Sequence, residues 1–133
     1  AFGEHVIGEE VEYSMLKVSE EMNVQITEFT VAPFVSSDQG KSYHEWFVEF
    51  EQSPASLGEF AARLDIALRQ KNVYYDDLIG GSILKPLKLT PVRKNGFIDY
   101  MKSIGKLGGQ NKVPRLSNDR KIADELIKWT ENH

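Results

Sequence analysis

The chain has 133 residues, 41% of them hydrophobic and 27% charged, which suits one domain with a real core and typical soluble-protein composition. It has no cysteine, so disulfide frameworks and thiol chemistry are excluded, and a cytoplasmic setting is expected. Its net charge of −4 is unevenly spread: −10 over residues 1–84, +8 over residues 85–121 and −2 over residues 122–133. No apolar run approaches the roughly 20 residues of a membrane helix, and no signal peptide is visible. The chain opens on Ala1-Phe2-Gly3 without an initiator methionine, which points to a processed protein or a piece of a longer one.

Phe2 to Ile7 reads as a short strand or a linker. Gly8 and Glu9 open a helix to about Met22, because Val11, Met15, Val18 and Met22 share one face. Glu9, Glu10 and Glu12 sit in its first turn, where the helix dipole favours them, and Asn23 is its stop. Val24 to Val35 reads as a strand whose apolar phase changes between Val24/Ile26 and Phe29/Val31, which predicts a bulge or bend. After the turn cluster Ser36–Gly40, residues 42–51 alternate: His44, Trp46, Val48 and Phe50 on one side, Tyr43, Glu45, Phe47 and Glu49 on the other. The two runs predict an antiparallel hairpin with one buried face.

Ser56 and Glu59 form a capping box for a helix with the stripe Leu57, Phe60, Ala61, Leu64, Ala67 and Leu68. Val73 to Ile79 adds a short helical turn, ended by Gly80-Gly81. Ile83 to Arg93 reads as a strand that Pro86 and Pro91 confine to an edge or a broken run. Gly96 starts a short helix bearing Phe97, Tyr100, Met101 and Ile104. A glycine-rich loop comes next, and Ser117 or Asn118 caps a last helix with Ile122, Leu126 and Trp129 on one side. The order predicts an α+β fold, a small antiparallel or mixed sheet with helices on one side. The best single layout is a split βαβ resembling ferredoxin.

Chemistry concentrates in residues 105–115, Gly-Lys-Leu-Gly-Gly-Gln-Asn-Lys-Val-Pro-Arg. Gly105, Gly108 and Gly109 allow unusual backbone conformations and close approach to a ligand. Lys112 supplies one ammonium, Pro114 stiffens the backbone at the end of the loop, and Arg115 adds a planar fork suited to carboxylate or phosphate. A mobile cationic loop of this kind suits work on an anion, although a solvated loop with incidental charges has the same composition. The loop has neither Walker nor G-x-G-x-x-G spacing. His5, His44 and His133 lie too far apart in sequence for metal-ligand spacing. Asp76-Asp77 is a carboxylate pair on a helical turn, open to a cation or to plain solvation. Trp46, Phe47 and Phe50 read as core. The basic block of residues 85–121 either meets an anionic partner or folds against acidic surface of its own domain.

Gln110-Asn111-Lys112-Val113-Pro114-Arg115 resembles the Q-x-K-x-P-R element near the C-terminus of the Gretchen Hagen acyl-acid amido synthetases, the auxin-responsive family. Residues 2–12, Tyr43-His44-Glu45-Trp46, Asn72-Val73-Tyr74-Tyr75 and Gly96-Phe97 resemble its C-terminal domain at the expected intervals, as in bacterial members. The resemblance covers essentially the whole chain. It implies that residues 1–133 form the small C-terminal lid of an adenylate-forming enzyme, with a large N-terminal domain as partner. The implied reaction joins an acyl acid to ATP, with Mg2+ held mainly by the large domain, and then to an amine such as an amino acid. The implied roles are catalysis by Lys112, and nucleotide contacts from Gly108, Gly109, Gln110 and Arg115. Arg115 has a second option, pinning the loop to an acidic group of its own domain. Gly-Gly before Gln110 replaces the bulkier residue usual in the family. The fragment by itself is expected to be inactive. The alternative function is a stand-alone ferredoxin-like module that binds nucleic acid or another anion through residues 85–121, but the aromatic motif of RNA-binding sheets is missing.

Overall fold

The computed structural model describes residues 6–35, 42–106 and 112–131. Helix α1 (Gly8–Glu21) leads into strand β1 (Ile26–Phe34), which turns back into β2 (Tyr43–Phe50). Helices α2 (Leu57–Lys71) and α3 (Val73–Gly80) carry the chain to β3 (Lys88–Pro91), and α4 (Gly96–Ser103) and α5 (Lys121–Leu126) complete the order. A 3-10 turn, Ile127–Trp129, comes after α5.

The local signals explain most element ends. The α1 face buries Val11, Met15 and Val18, with Met22 partly buried. Asn23 ends the helix in the left-handed region at φ 54. The phase change in β1 is a bulge: the register shifts between Ile26, opposite Phe50, and Glu28, opposite Glu49. Ser56 caps α2, its hydroxyl accepting from the Glu59 N–H at 3.0 Å. Asn72 caps α3, its side chain accepting from the Tyr75 N–H at 2.8 Å, and the same side chain donates to Glu10 at 2.9 Å, tying α3 to α1. Gly105, at φ 72, closes the end of α4 as C-terminal glycines do.

The sheet is three-stranded and mixed, in the order β1-β2-β3, so the fold is a small α+β domain as predicted. β1 and β2 are antiparallel, while β2 and β3 are parallel neighbours joined through α2 and α3. The expected split βαβ is therefore corrected: no strand lies between β2 and β3, and the crossover is direct. The strand expected over residues 83–93 shrinks to Lys88–Pro91. The N–H groups of Ile83 and Leu84 are taken up by the Leu78 carbonyl at the end of α3, at 3.0 and 3.1 Å. The last helix also begins later than expected, at Lys121, because Ser117 donates its N–H to Val31 and lies along the sheet edge. Asp119 accepts the Lys121 N–H at 3.0 Å instead.

Burial corrects the one-faced hairpin and the one-sided layer of helices. Central strand β2 is buried from His44 through Glu49. Trp46 and Val48 join Phe29 and Val31 in a core with α1, α2 and α3. Phe47, on the opposite face, packs with Ala32, Val92, Phe97, Tyr100, Val113, Ala123 and Leu126 in a second core. Helices thus cover both faces. Glu45 and Glu49 share the face of Phe47, and both are satisfied where they are buried. Glu45 accepts from Thr90 and from Arg120 at 2.5 and 2.8 Å. Glu49 accepts the N–H groups of Asn95 and Phe97 at 2.8 and 3.1 Å, and so caps the start of α4 from the central strand.

Candidate functional site

Of the five residues singled out by the sequence, Lys112 and Arg115 are described. Gly108, Gly109 and Gln110 lie outside the described residues. The segment that carries the two cations runs along the outer edge of β1. Its backbone is fixed at three points: the Thr30 hydroxyl donates to the Pro114 carbonyl at 2.5 Å, the Val31 N–H to the Arg115 carbonyl at 2.9 Å, and the Ser117 N–H to the Val31 carbonyl at 2.9 Å. Its side chains are fixed as well. Val113 is 7% exposed in the second core, and Leu116 packs against the first.

Lys112 stands at the start of this anchored segment. It is exposed, and among the described residues its ammonium has no ion-pair or hydrogen-bond partner. Arg115 is in the opposite condition. One of its terminal N–H groups donates to Glu28 and to the Phe29 carbonyl, the latter at 2.9 Å, and its Nε donates to Glu12 at 3.2 Å. The guanidinium also lies 4.4 Å from the Phe29 ring centroid. One cation thus faces two carboxylates, one from α1 and one from β1. A cleft of about 530 Å³ between these elements is lined by Arg115, Glu12, Met15, Leu16, Ile26 and Phe29, among others.

The arginines of the basic block are absorbed by their own domain. All three of its arginines pair internally: Arg93 with Asp99 at 2.9 Å, Arg115 with Glu12 and Glu28, and Arg120 with Glu45 and Asp124 at 2.8 and 3.2 Å. Lys88 adds a contact to Glu45 at 4.0 Å. This folding against acidic groups leaves a weaker field for a polyanion than the sequence count implies.

His5 and His133 lie outside the described residues, and Asp76, Tyr75, His44, Trp46 and Phe47 have structural surroundings. Asp76 pairs with Arg69 at 2.6 Å. Tyr75 is buried and donates its hydroxyl to Asp65 at 2.5 Å; burial, reinforced by the Asp65 charge, pushes its pKa well up, so it stays a donor. His44 is buried against the Tyr75 ring, with centroids 5.6 Å apart, and burial lowers its pKa from 6.5 to about 4. Trp46 and Phe47 are fully buried core residues. Among the described residues, no group of three or more His, Asp or Glu side chains is placed to hold a metal ion, and no helix is long and apolar enough to cross a membrane. The residues the sequence did not single out are Glu12, Glu28 and Thr30. They meet the 114–115 segment across 84 to 103 positions, a separation at which no local pattern signals contact.

This fold, a mixed sheet covered on both faces, is shared with domains of solved acyl acid amido synthetases. One is described as GH3.15 acyl acid amido synthetase, with a TM-score of 0.67 and 17% identity over 92% of this chain and 22% of that one. Another is AtGH3.15 acyl acid amido synthetase in complex with 2,4-DB, with a TM-score of 0.68 and 13% identity over 91% of this chain and 23% of that one. The chain therefore spans less than a quarter of the length of these proteins. No curated protein matches it. The GH3 family C-terminal domain model matches residues 9–121, and the chain belongs to that family.

Proposed function

We propose that this chain is the C-terminal domain of an ATP-dependent acyl-acid amido synthetase, working with a larger N-terminal domain of the same polypeptide. The observation that carries the reading is Lys112, an exposed ammonium without a partner among the described residues, one residue before buried Val113. In adenylation an acid carboxylate oxygen bonds to the α-phosphorus of ATP as the bond to pyrophosphate breaks. An amine nitrogen then bonds to the acyl carbon, AMP leaves, and the amine gives up a proton. Both partners of the first step are anions, and negative charge builds on the phosphate oxygens. The Lys112 ammonium offsets that charge where it develops. Delivery of the lysine on a closing domain also excludes water that would hydrolyse the mixed anhydride.

The donor set suits phosphate and little else of the nucleotide. A single ammonium can meet α-phosphate oxygens, whereas Arg115 is committed to Glu12 and Glu28. Base, ribose, Mg2+ and the acyl group fall to the large domain in this reading, with Gly108, Gly109 and Gln110 as further candidates for phosphate or ribose contact. Selection of acid and amine falls to the large domain too. The test is Lys112→Ala in an intact synthetase that ends in this domain. Adenylation, followed as acid-dependent pyrophosphate exchange, slows by about 100- to 1000-fold, the usual cost of one lost oxyanion donor, while ATP affinity changes little. An unchanged exchange rate removes Lys112 from the mechanism.

A further inference from the structure

We propose that Arg115 is a positioning residue, whose guanidinium, clamped by Glu28, Glu12 and the Phe29 carbonyl, sets where the Lys112 ammonium is presented. The inference rests on the role given to Lys112 above and adds to it the device that aims the lysine.

The geometry favours a clamp over a ligand contact. A guanidinium grips a phosphate through two of its nitrogens, but Arg115 already donates from Nε to Glu12 and from Nη1 to Glu28 and the Phe29 carbonyl, so neither of its two forks is whole. Its guanidinium carbon lies 4.4 Å from the Phe29 ring centroid, and this packing limits rotation about the long side chain. The same residue is pinned through its backbone, where its carbonyl accepts from Val31 at 2.9 Å. Lys112 lies three residues upstream, and the link between them is stiff. Pro114 fixes its own backbone angle, its carbonyl accepts from Thr30 at 2.5 Å, and Val113 is buried. The Arg115–Glu12 pair by itself is exposed enough to add little stability, with side chains 32% and 58% exposed. Together the ties define a position. A lysine cannot replace Arg115, because an ammonium lacks the rigid fork and the flat face.

The test is a double-mutant cycle in an intact synthetase that ends in this domain, using Lys112→Ala, Arg115→Gln, Glu28→Gln and Lys112→Ala paired with each of the other two. Acid-dependent pyrophosphate exchange at saturating ATP, ATP affinity and thermal melting are measured on each. Arg115→Gln and Glu28→Gln are expected to slow exchange by about 10- to 100-fold, the scale of a misplaced catalytic group. They leave ATP affinity unchanged and add no further loss once Lys112 is alanine. Glu28→Gln keeps volume and shape, so it serves if Arg115→Gln does not fold. If Lys112→Ala slows exchange while both clamp variants lower only the melting temperature, the clamp is overturned and the role of Lys112 stands. If Arg115→Gln slows the Lys112→Ala enzyme as much as it slows the parent, Arg115 acts independently of the lysine, which also overturns the clamp. If Lys112→Ala leaves exchange unchanged, the role of Lys112 falls and takes the clamp with it.

Discussion

Replacing His44 with phenylalanine should flatten the acid side of the stability profile. His44 lies on central strand β2, 1% exposed, with its ring stacked on Tyr75 and Tyr75 bonded in turn to Asp65. Burial lowers its pKa from 6.5 to about 4. The folded chain therefore refuses a proton that the unfolded chain accepts between those values. Because the unfolded state binds more protons there, stability falls as pH falls. The contribution is fully present above pH 6.5, declines through the window, and has no more to lose below about pH 4. At about 1.36 kcal/mol for each pH unit, the interval is worth roughly 3 kcal/mol. Phenylalanine keeps the aromatic stack and cannot titrate. Urea unfolding at pH 7, 6, 5 and 4 measures the difference, and comparing slopes with pH cancels any change in packing at pH 7. With a urea dependence of about 1–3 kcal/mol per molar, the parent midpoint should fall by about 1–3 M more than that of His44→Phe between pH 7 and 4. Parallel profiles for the two proteins would show that the buried imidazole is not the source of the acid sensitivity.

Two further substitutions probe how the site's scaffold is held. Glu49→Gln places an amide N–H group against one of two backbone N–H groups that the carboxylate now accepts, at 2.8 and 3.1 Å; it should cost about 1–3 kcal/mol in denaturant unfolding, and an unchanged stability would mean that α4 is not capped from β2. Gly96→Ala puts a Cβ 2.5 Å from a Val92 methyl and 3.0 Å from the Trp129 carbonyl, which already accepts the Arg93 N–H. The overpacking should cost about 1–3 kcal/mol, visible as a lower melting temperature, and a variant as stable as the parent would show that this helix start has room to shift.

The features legible in the sequence were those that local chemistry decides. The α1 stripe, the Ser56 cap and the bulge in β1 each depend on residues within a few positions of one another, and each lies where the pattern put it. The Gretchen Hagen resemblance, carried by short motifs in a fixed order, likewise named the family that residues 9–121 match. The misread features depend on distant partners. Alternation in β2 placed Glu45 and Glu49 on a polar face, and polar alternation ordinarily marks solvent. Here Arg120, Thr90 and the α4 backbone satisfy those carboxylates from 45 to 75 positions away. The helices on that side could then cover a second core. The direct β2-β3 crossover was hidden for a related reason. Prolines at 86 and 91 marked β3 as a poor strand, and no local signal says which neighbour a short strand will choose.

The anchoring of the cationic segment changes what its lysine can contribute. A lysine on a slack backbone must surrender backbone freedom when it settles on a transition state, at about 1–2 kcal/mol for each residue ordered. Near Lys112 much of that ordering is already present in the fold. Val113 is buried, Pro114 is bonded to Thr30, and Arg115 is held by α1 and β1. Lys112 itself is left to find its place. A factor of ten in rate corresponds to about 1.36 kcal/mol, so one or two residues of ordering account for the 10- to 100-fold loss expected when the clamp is cut. The physics of the fold and the kinetics of the proposed chemistry therefore meet in the same short segment, with the exposed cation proposed to do the chemistry and the paired cation proposed to hold it in place.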